Sequence, residues 1–143
     1  MNLKFLFGVF TVYGVLFIHV KAEEDSSEEV TLTKQQVFDY LKILKKCELD
    51  SGAKPKYIRN SIMGRFKPEP KFKDYLYCLG NSTGLLDKEG NIDKKAFLHK
   101  TNSLIKDKEQ AEKIVNSCLS QEADKPTAIF NTLTCYNGMR SKI

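Results

Sequence analysis

Apolar residues recur along this chain at the spacing of helices rather than of strands. Ala111, Ile114, Val115, Cys118 and Leu119 fall at i, i+3, i+4, i+7 and i+8, which places them on one stripe of a helix, while charged and amide side chains fill the opposite face. Asp107 is placed to cap this helix. After a break at Pro126, a second apolar run of Ala128, Ile129, Phe130 and Leu133 leads to Cys135, and a helix is predicted over 127–137. Two short helices folded back on each other and tied by one bridge are the natural reading of this stretch. A bridge closing a loop of this size stabilises by about 3 kcal/mol in the chain-entropy picture.

The same period runs through the rest. Val37, Leu41 and Leu44 repeat at helical spacing behind Thr33, with Gln36 completing a Thr-x-x-Gln capping box; Lys34, Lys42, Lys45 and Lys46 cover the outside, and Cys47 closes the helix before Gly52. Pro55 suits the first turn of a second helix carrying Ile58, Ile62 and Met63, which Gly64 ends. Phe66-Lys67-Pro68-Glu69-Pro70 reads as a rigid connector, because each proline forces extended backbone before it. A third helix holds Phe72, Tyr75, Leu76 and Leu79, with Cys78 near its end and Gly80 as its stop. The run from Gly84 to Asp93 is a turn-rich link, and Asp93 caps a fourth helix holding Ala96, Phe97, Thr101 and Leu104. No run of alternating apolar residues is long enough to propose a sheet, and there is no internal repeat. The expected class is all-α, six short helices.

Two segments stand outside that pattern. Lys4 followed by an apolar run through Ile18, with Val20-Lys21-Ala22 before the cut, has the form of a secretory signal peptide over residues 1–22. Gly8, Thr11, Tyr13 and Gly14 interrupt the run, which is short for a membrane span of about 20 apolar residues. Residues 23–31 are acidic and polar with nothing to bury, a flexible terminus ahead of the domain over 32–143. Removing the leader leaves 121 of 143 residues, one domain by length, and lowers the formal charge from +5 to +3, since Lys4 and Lys21 go with it.

Charge and composition exclude several functions. Lys54, Lys56, Arg59, Arg65, Lys67, Lys71 and Lys73 interleave with Tyr57, Phe66 and Phe72, as in nucleic-acid surfaces; a secreted destination argues against nucleic acid, and the aromatics fall at helical spacing, so a solvated basic face over a buried one is the better account. Attraction of an anionic head group, such as a carboxylate, stays open. The acids from Asp87 to Asp93 invite a calcium loop, but the sixth position is Ile92 rather than glycine and the twelfth is Leu98 rather than glutamate. Behind the leader, His99 is the one histidine, with no cysteine neighbour and no calcium loop, so the hydrolytic machinery of a secreted helical phospholipase has no footing. No catalytic residue, cofactor or metal is expected. Asn81-Ser82-Thr83 is a glycosylation sequon.

Four cysteines in a secreted chain read as a disulfide framework. Their separations of 31, 40 and 17 positions contain no Cys-x-x-Cys, which argues against structural zinc. Three pairings are possible, and the spacing does not choose among them. Cys47 and Cys78 each lie near a helix end, where a bridge would fasten the first helix to the third.

Six amphipathic helices carry more apolar side chains than two staples need for stability, and a cavity is one outlet for the surplus. Ligand pockets are mostly apolar, with a few polar groups that fix orientation. The candidate binding set is Leu41, Leu44, Ile58, Ile62, Met63, Phe66, Phe72, Tyr75, Leu76, Phe97, Leu104, Ile114, Val115, Phe130 and Leu133, with Thr101 and Tyr136 among the polar groups that also include Tyr40, Tyr57, Tyr77 and Thr134. For any one of them ordinary core is the plainer reading, because filled interiors are the rule.

The cysteine spacing resembles that of insect odorant-binding proteins of the pheromone-binding and general odorant-binding superfamily. In that family six cysteines pair first with third, second with fifth and fourth with sixth. Laying Cys47, Cys78, Cys118 and Cys135 on the first, third, fourth and sixth puts Asp74 and Pro126 at the other two, so both losses belong to one bridge, as in the four-cysteine minus-C branch. The resemblance implies a compact six-helix fold around a central apolar cavity, bridges Cys47–Cys78 and Cys118–Cys135, and reversible transport of odorants, pheromones or similar lipophilic molecules through extracellular fluid. It implies a small hydrophobic ligand as partner, an olfactory receptor met only indirectly, no stable membrane insertion after leader removal, and a monomer or weak dimer. The competing readings are a haemolymph or gland-fluid lipid carrier without olfactory role, and a secreted interaction or defence protein with a filled core and a basic face. Pheromone binders cover the pocket with a long C-terminal tail, whereas this chain stops eight residues after Cys135; tail insertion as a release switch is not expected.

Losing the second bridge frees the third helix from the sixth, which predicts a deformable pocket of broad choice. Hydrogen exchange of the third helix should be protected on ligand addition; equal and strong protection with and without ligand would count against it.

Overall fold

Each helix begins where something takes up the free N–H groups of its first turn. In the computed structural model, which describes residues 33–143, Thr33 and Gln36 form the expected capping box at the head of α1 (Lys34–Ser51). Pro55 opens α2 (Pro55–Ile62), where its missing N–H costs nothing. Glu69 accepts from the Phe72 amide at 2.8 Å and starts α3 (Pro70–Ser82). Asp93 caps α4 (Lys94–Asn102), Asp107 caps α5 (Lys108–Cys118) and Asp124 caps α6 (Lys125–Arg140). The leader over 1–22, the acidic segment over 23–31 and Leu32 lie outside the described residues.

Among the described residues the order is therefore six helices, and the only ladder-type pairing is a single bridge, Leu86 to Ile92. Helix α3 packs on α1 and on α6, α6 on α5, and α5 on α4. Two disulfides fasten this chain of contacts, Cys47–Cys78 between α1 and α3 and Cys118–Cys135 between α5 and α6. By loop length each stabilises by about 3–4 kcal/mol in the chain-entropy picture.

Several boundaries differ from the sequence reading, each for a physical reason. Helix α1 runs past Cys47 to Ser51 and stops at Gly52, whose φ of 67° is left-handed. Gly80 is not a stop. It lies buried inside α3, and a Cβ there would come within 2.5 Å of Ile129 Cδ1 on α6, so its role is to let two helices approach. Pro126 is not a break but part of the first turn of α6, the position where proline is tolerated. That helix continues through Gly138 to Arg140, where residual tail was expected.

The link between α3 and α4 is also more than a link. Leu85 and Leu86 are buried. Asp87 Oδ1 accepts from the amides of Glu89 and Asn91, both at 2.9 Å, and the Asp93 amide donates to Leu85 O at 2.9 Å. This turn presses two leucines into the core while keeping its polar backbone satisfied.

Gly80→Val should cost about 1–3 kcal/mol through overpacking against Ile129, read as a lower urea midpoint at unchanged m-value.

Candidate functional site

The buried side chains of α3, α5 and α6 meet in one apolar interior. Phe72, Tyr75, Leu76, Ile114, Val115, Phe130, Leu133 and Tyr136, all expected binding residues, are buried there with Leu79 and Ile129. Phe97 and Thr101 close it from α4. Leu44, Ile58, Ile62 and Phe66 are partly buried and pack against its edge.

Three members of the expected set face solvent. Leu41 is 53% exposed, Met63 59% and Leu104 37%. The bond through Cys47 turns α1 so that Tyr40, Ile43, Leu44 and Cys47 face inward, leaving Leu41 outside with Phe38 and Leu49. Met63 is the residue after α2 and Leu104 lies two residues past α4, so neither keeps helical phase. Ile105 is buried instead of Leu104. Sequence reasoning also missed Ala53, Leu85 and Leu86; two adjacent leucines in a glycine-flanked link were the available signal for the last two.

Aromatic rings line one end of the interior. Phe72 lies 6.3 Å from Phe66, 6.4 Å from Phe130 and 6.1 Å from Tyr75, and Phe66 lies 6.3 Å from Phe130. These are separations at which edge and offset ring contacts add to simple burial. At the other end Phe97 meets Tyr136 at 5.8 Å. The polar groups offered by the sequence divide sharply. Thr101 donates to Phe97 O at 2.8 Å and Thr134 to Phe130 O at 2.7 Å, so both hydroxyls are taken up within their own helices. Tyr136 is 1% exposed, and burial pushes its phenol up to about 12 against the opposing pull of Arg140.

A cleft of about 140 Å³ opens at the surface beside Gly90, Ile92, Leu119, Gln121, Glu122 and Lys125. None of its lining residues belongs to the expected set. Polar side chains and backbone dominate it, so its chemistry differs from that of the interior.

The two positions left without cysteine lie beside a polar tie. Lys73, next to Asp74, donates to Thr127 Oγ1 at 3.2 Å, and Thr127, next to Pro126, donates to the Asp124 carboxylate. Lys73 also lies over the Phe130 ring at 5.6 Å, a cation–π distance. Side-chain and backbone hydrogen bonds from Thr127, with Lys73 adding to them, hold the Asp124 carboxyl below the usual range. Helices α3 and α6 are thus joined by charge and hydrogen bonding where a sulfur bridge is absent.

His99 is exposed on α4, and Asn81 is exposed in the last turn of α3. The basic side chains from Lys54 to Lys71 are exposed around the half-buried Tyr57 and Phe66. Among the described residues no group of His, Cys, Asp and Glu is arranged to hold a metal, and no helix is long and apolar enough to cross a membrane.

Residues 29–138 match the PBP/GOBP family. The chain is 28% identical to the B2 protein of Tenebrio molitor over 62% of this chain and 70% of that protein. It is 24% identical to the B1 protein of the same beetle over 84% and 87%. With general odorant-binding protein 69a of Drosophila melanogaster it shares 25% identity over 95% and 89%. The fold is similar to that of the odorant-binding protein dmelOBP28a from Drosophila melanogaster, with a TM-score of 0.63 at 19% identity over 76% of this chain and 95% of that one.

The Asp124 cap contributes fully above the ordinary aspartate value of 3.8 and is lost as pH falls through the lower folded value. Asp124→Ala should lower the urea midpoint at pH 7, and its deficit against the unchanged protein should shrink on acidification below about pH 4.

Proposed function

The chain belongs to the PBP/GOBP family, and from that premise we propose that it is a secreted carrier which reversibly holds small hydrophobic molecules in the apolar interior between α3, α5 and α6. It is a binding protein and not an enzyme. The observation that carries the reading is the family match over residues 29–138, joined to a fold shared with an odorant-binding protein. The name of the Drosophila relative points to odorants or chemically similar molecules as the cargo.

The chemistry of the interior supports it. Its walls are aliphatic and aromatic, and the buried Thr101 hydroxyl is occupied by its own helix, while Thr134 is exposed. Binding then rests on desolvation: guest and wall leave water together, at roughly 25 cal/mol per Å² of apolar area. A guest hiding about 300 Å² gains several kcal/mol gross by that count. With dispersion contacts, about ten heavy atoms suffice for micromolar affinity after the costs of association. Because no covalent step is involved, release needs only loosening of helix contacts. The two sulfur bridges limit how far they loosen: α1 stays on α3 and α5 stays on α6, while α3 and α6 are joined by packing and by the Lys73 tie. Carriage through an aqueous fluid also suits the exposed lysines and arginines from Lys54 to Lys71, which keep the surface wet.

Oxidised protein should bind a hydrophobic fluorescent probe such as N-phenyl-1-naphthylamine, and straight-chain alcohols and aldehydes should displace it with micromolar midpoints. Those midpoints should improve with chain length up to a limit and change little between low and high salt. Binding that is confined to anionic compounds and fades with salt would place the activity on the basic face instead.

A further inference from the structure

Tyr136 carries a hydroxyl that no other described residue bonds. The residue sits on the inner face of α6, 1% exposed, with its ring against Phe97 at 5.8 Å. Among the described residues its Oη has no hydrogen-bond partner. Two buried hydroxyls close by are taken up within the chain. Thr132, one turn earlier on the same helix, accepts from the Ser120 amide at 3.0 Å, and Thr101, one turn along α4 from Phe97, donates to that residue's carbonyl. A buried phenolic group normally finds a partner, and a phenylalanine would fill the same space without the desolvation penalty. Retaining the oxygen disfavours the empty protein and favours any guest that presents an acceptor there.

We infer that Tyr136 Oη is the polar anchor of the carrier site, donating a hydrogen bond to an oxygen at one end of an otherwise aliphatic guest: an alcohol, aldehyde, ketone or ester. This rests on the carrier reading and narrows it to a ligand class. Burial holds the phenol in its neutral form throughout the physiological range, so it remains a donor. The Phe97 ring packs against it in a tilted contact, which holds the phenol in place and leaves the hydroxyl as its one polar atom. A neutral oxygen is the matching acceptor, because an ionised carboxylate placed in these apolar walls would lose hydration that one phenol does not replace.

The experiment compares the unchanged protein with Tyr136→Phe, using displacement of N-phenyl-1-naphthylamine by 1-octanol, octanal, octanoate and n-octane, alongside thermal melting. The variant should lose about tenfold in affinity for octanol and octanal, the worth of one net hydrogen bond, and little for octane. In the absence of any guest it should melt at the same temperature or higher. Equal affinity of both proteins for octanol and octane alike would overturn the anchor and leave the carrier reading standing. So would a guest-free variant that melts several degrees lower, since the hydroxyl would then be bonded within the chain. If octanoate alone loses affinity, the class is acids and the proposed class is wrong. If neither the probe nor any of the four compounds binds the unchanged protein, the carrier reading fails and the anchor with it.

Discussion

The bond between Cys47 and Cys78 decides which side of α1 meets α3, and the rest of the packing follows from that choice. Helix α1 is apolar on more than one side: Tyr40, Ile43 and Leu44 could face the core, and so could Phe38, Leu41 and Leu49. Hydrophobicity alone would leave the rotation of this helix ambiguous. A sulfur atom at position 47 selects the face that contains it and leaves the other in solvent. With α1 fixed, α3 has one flank covered and presents Gly80, Leu76 and Phe72 to α6 and its neighbours. The second bridge, between α5 and α6, then sets the opposite wall of the same interior.

Much of this was legible in the sequence because the signals were local. The Thr33–Gln36 box, Asp93, Asp107 and Pro55 mark helix starts through chemistry contained within four residues, and each is where it was expected. The all-α class and the pairing of the cysteines, implied by the family resemblance, are those of the fold. What failed depended on distant partners. Gly80 is indistinguishable from a stop signal until Ile129 is known to lie against it. Leu104 holds helical phase on paper, but α4 ends at Asn102 and the chain turns Ile105 inward instead. Pro126 was read as a boundary, whereas Asp124 two residues earlier makes it part of a helix start.

The interior itself was harder to read than the scaffold. Most of the expected wall residues are buried together, yet the sequence does not distinguish a hydroxyl that turns back on its own helix from one that points into the core. Thr101, Thr134 and Tyr136 looked alike as polar lining. In the fold the two threonines bond carbonyls four residues earlier, which a helical threonine does readily. A tyrosine cannot reach its own backbone, so its oxygen depends on whatever lies across the core. The length of the side chain, rather than its polarity, separates these hydroxyls here.

Gly80 carries a consequence for how α3 and α6 are spaced. The gap between α3 and α6 is set where a hydrogen atom stands in place of a methyl, with Ile129 filling the space that any side chain would claim. One position therefore acts as the spacer of the interior. Enlarging residue 80 while shortening residue 129 exchanges volume across the helix junction at nearly constant packing, so the two positions can be revised only as a pair, without altering the sulfur bonds or the caps.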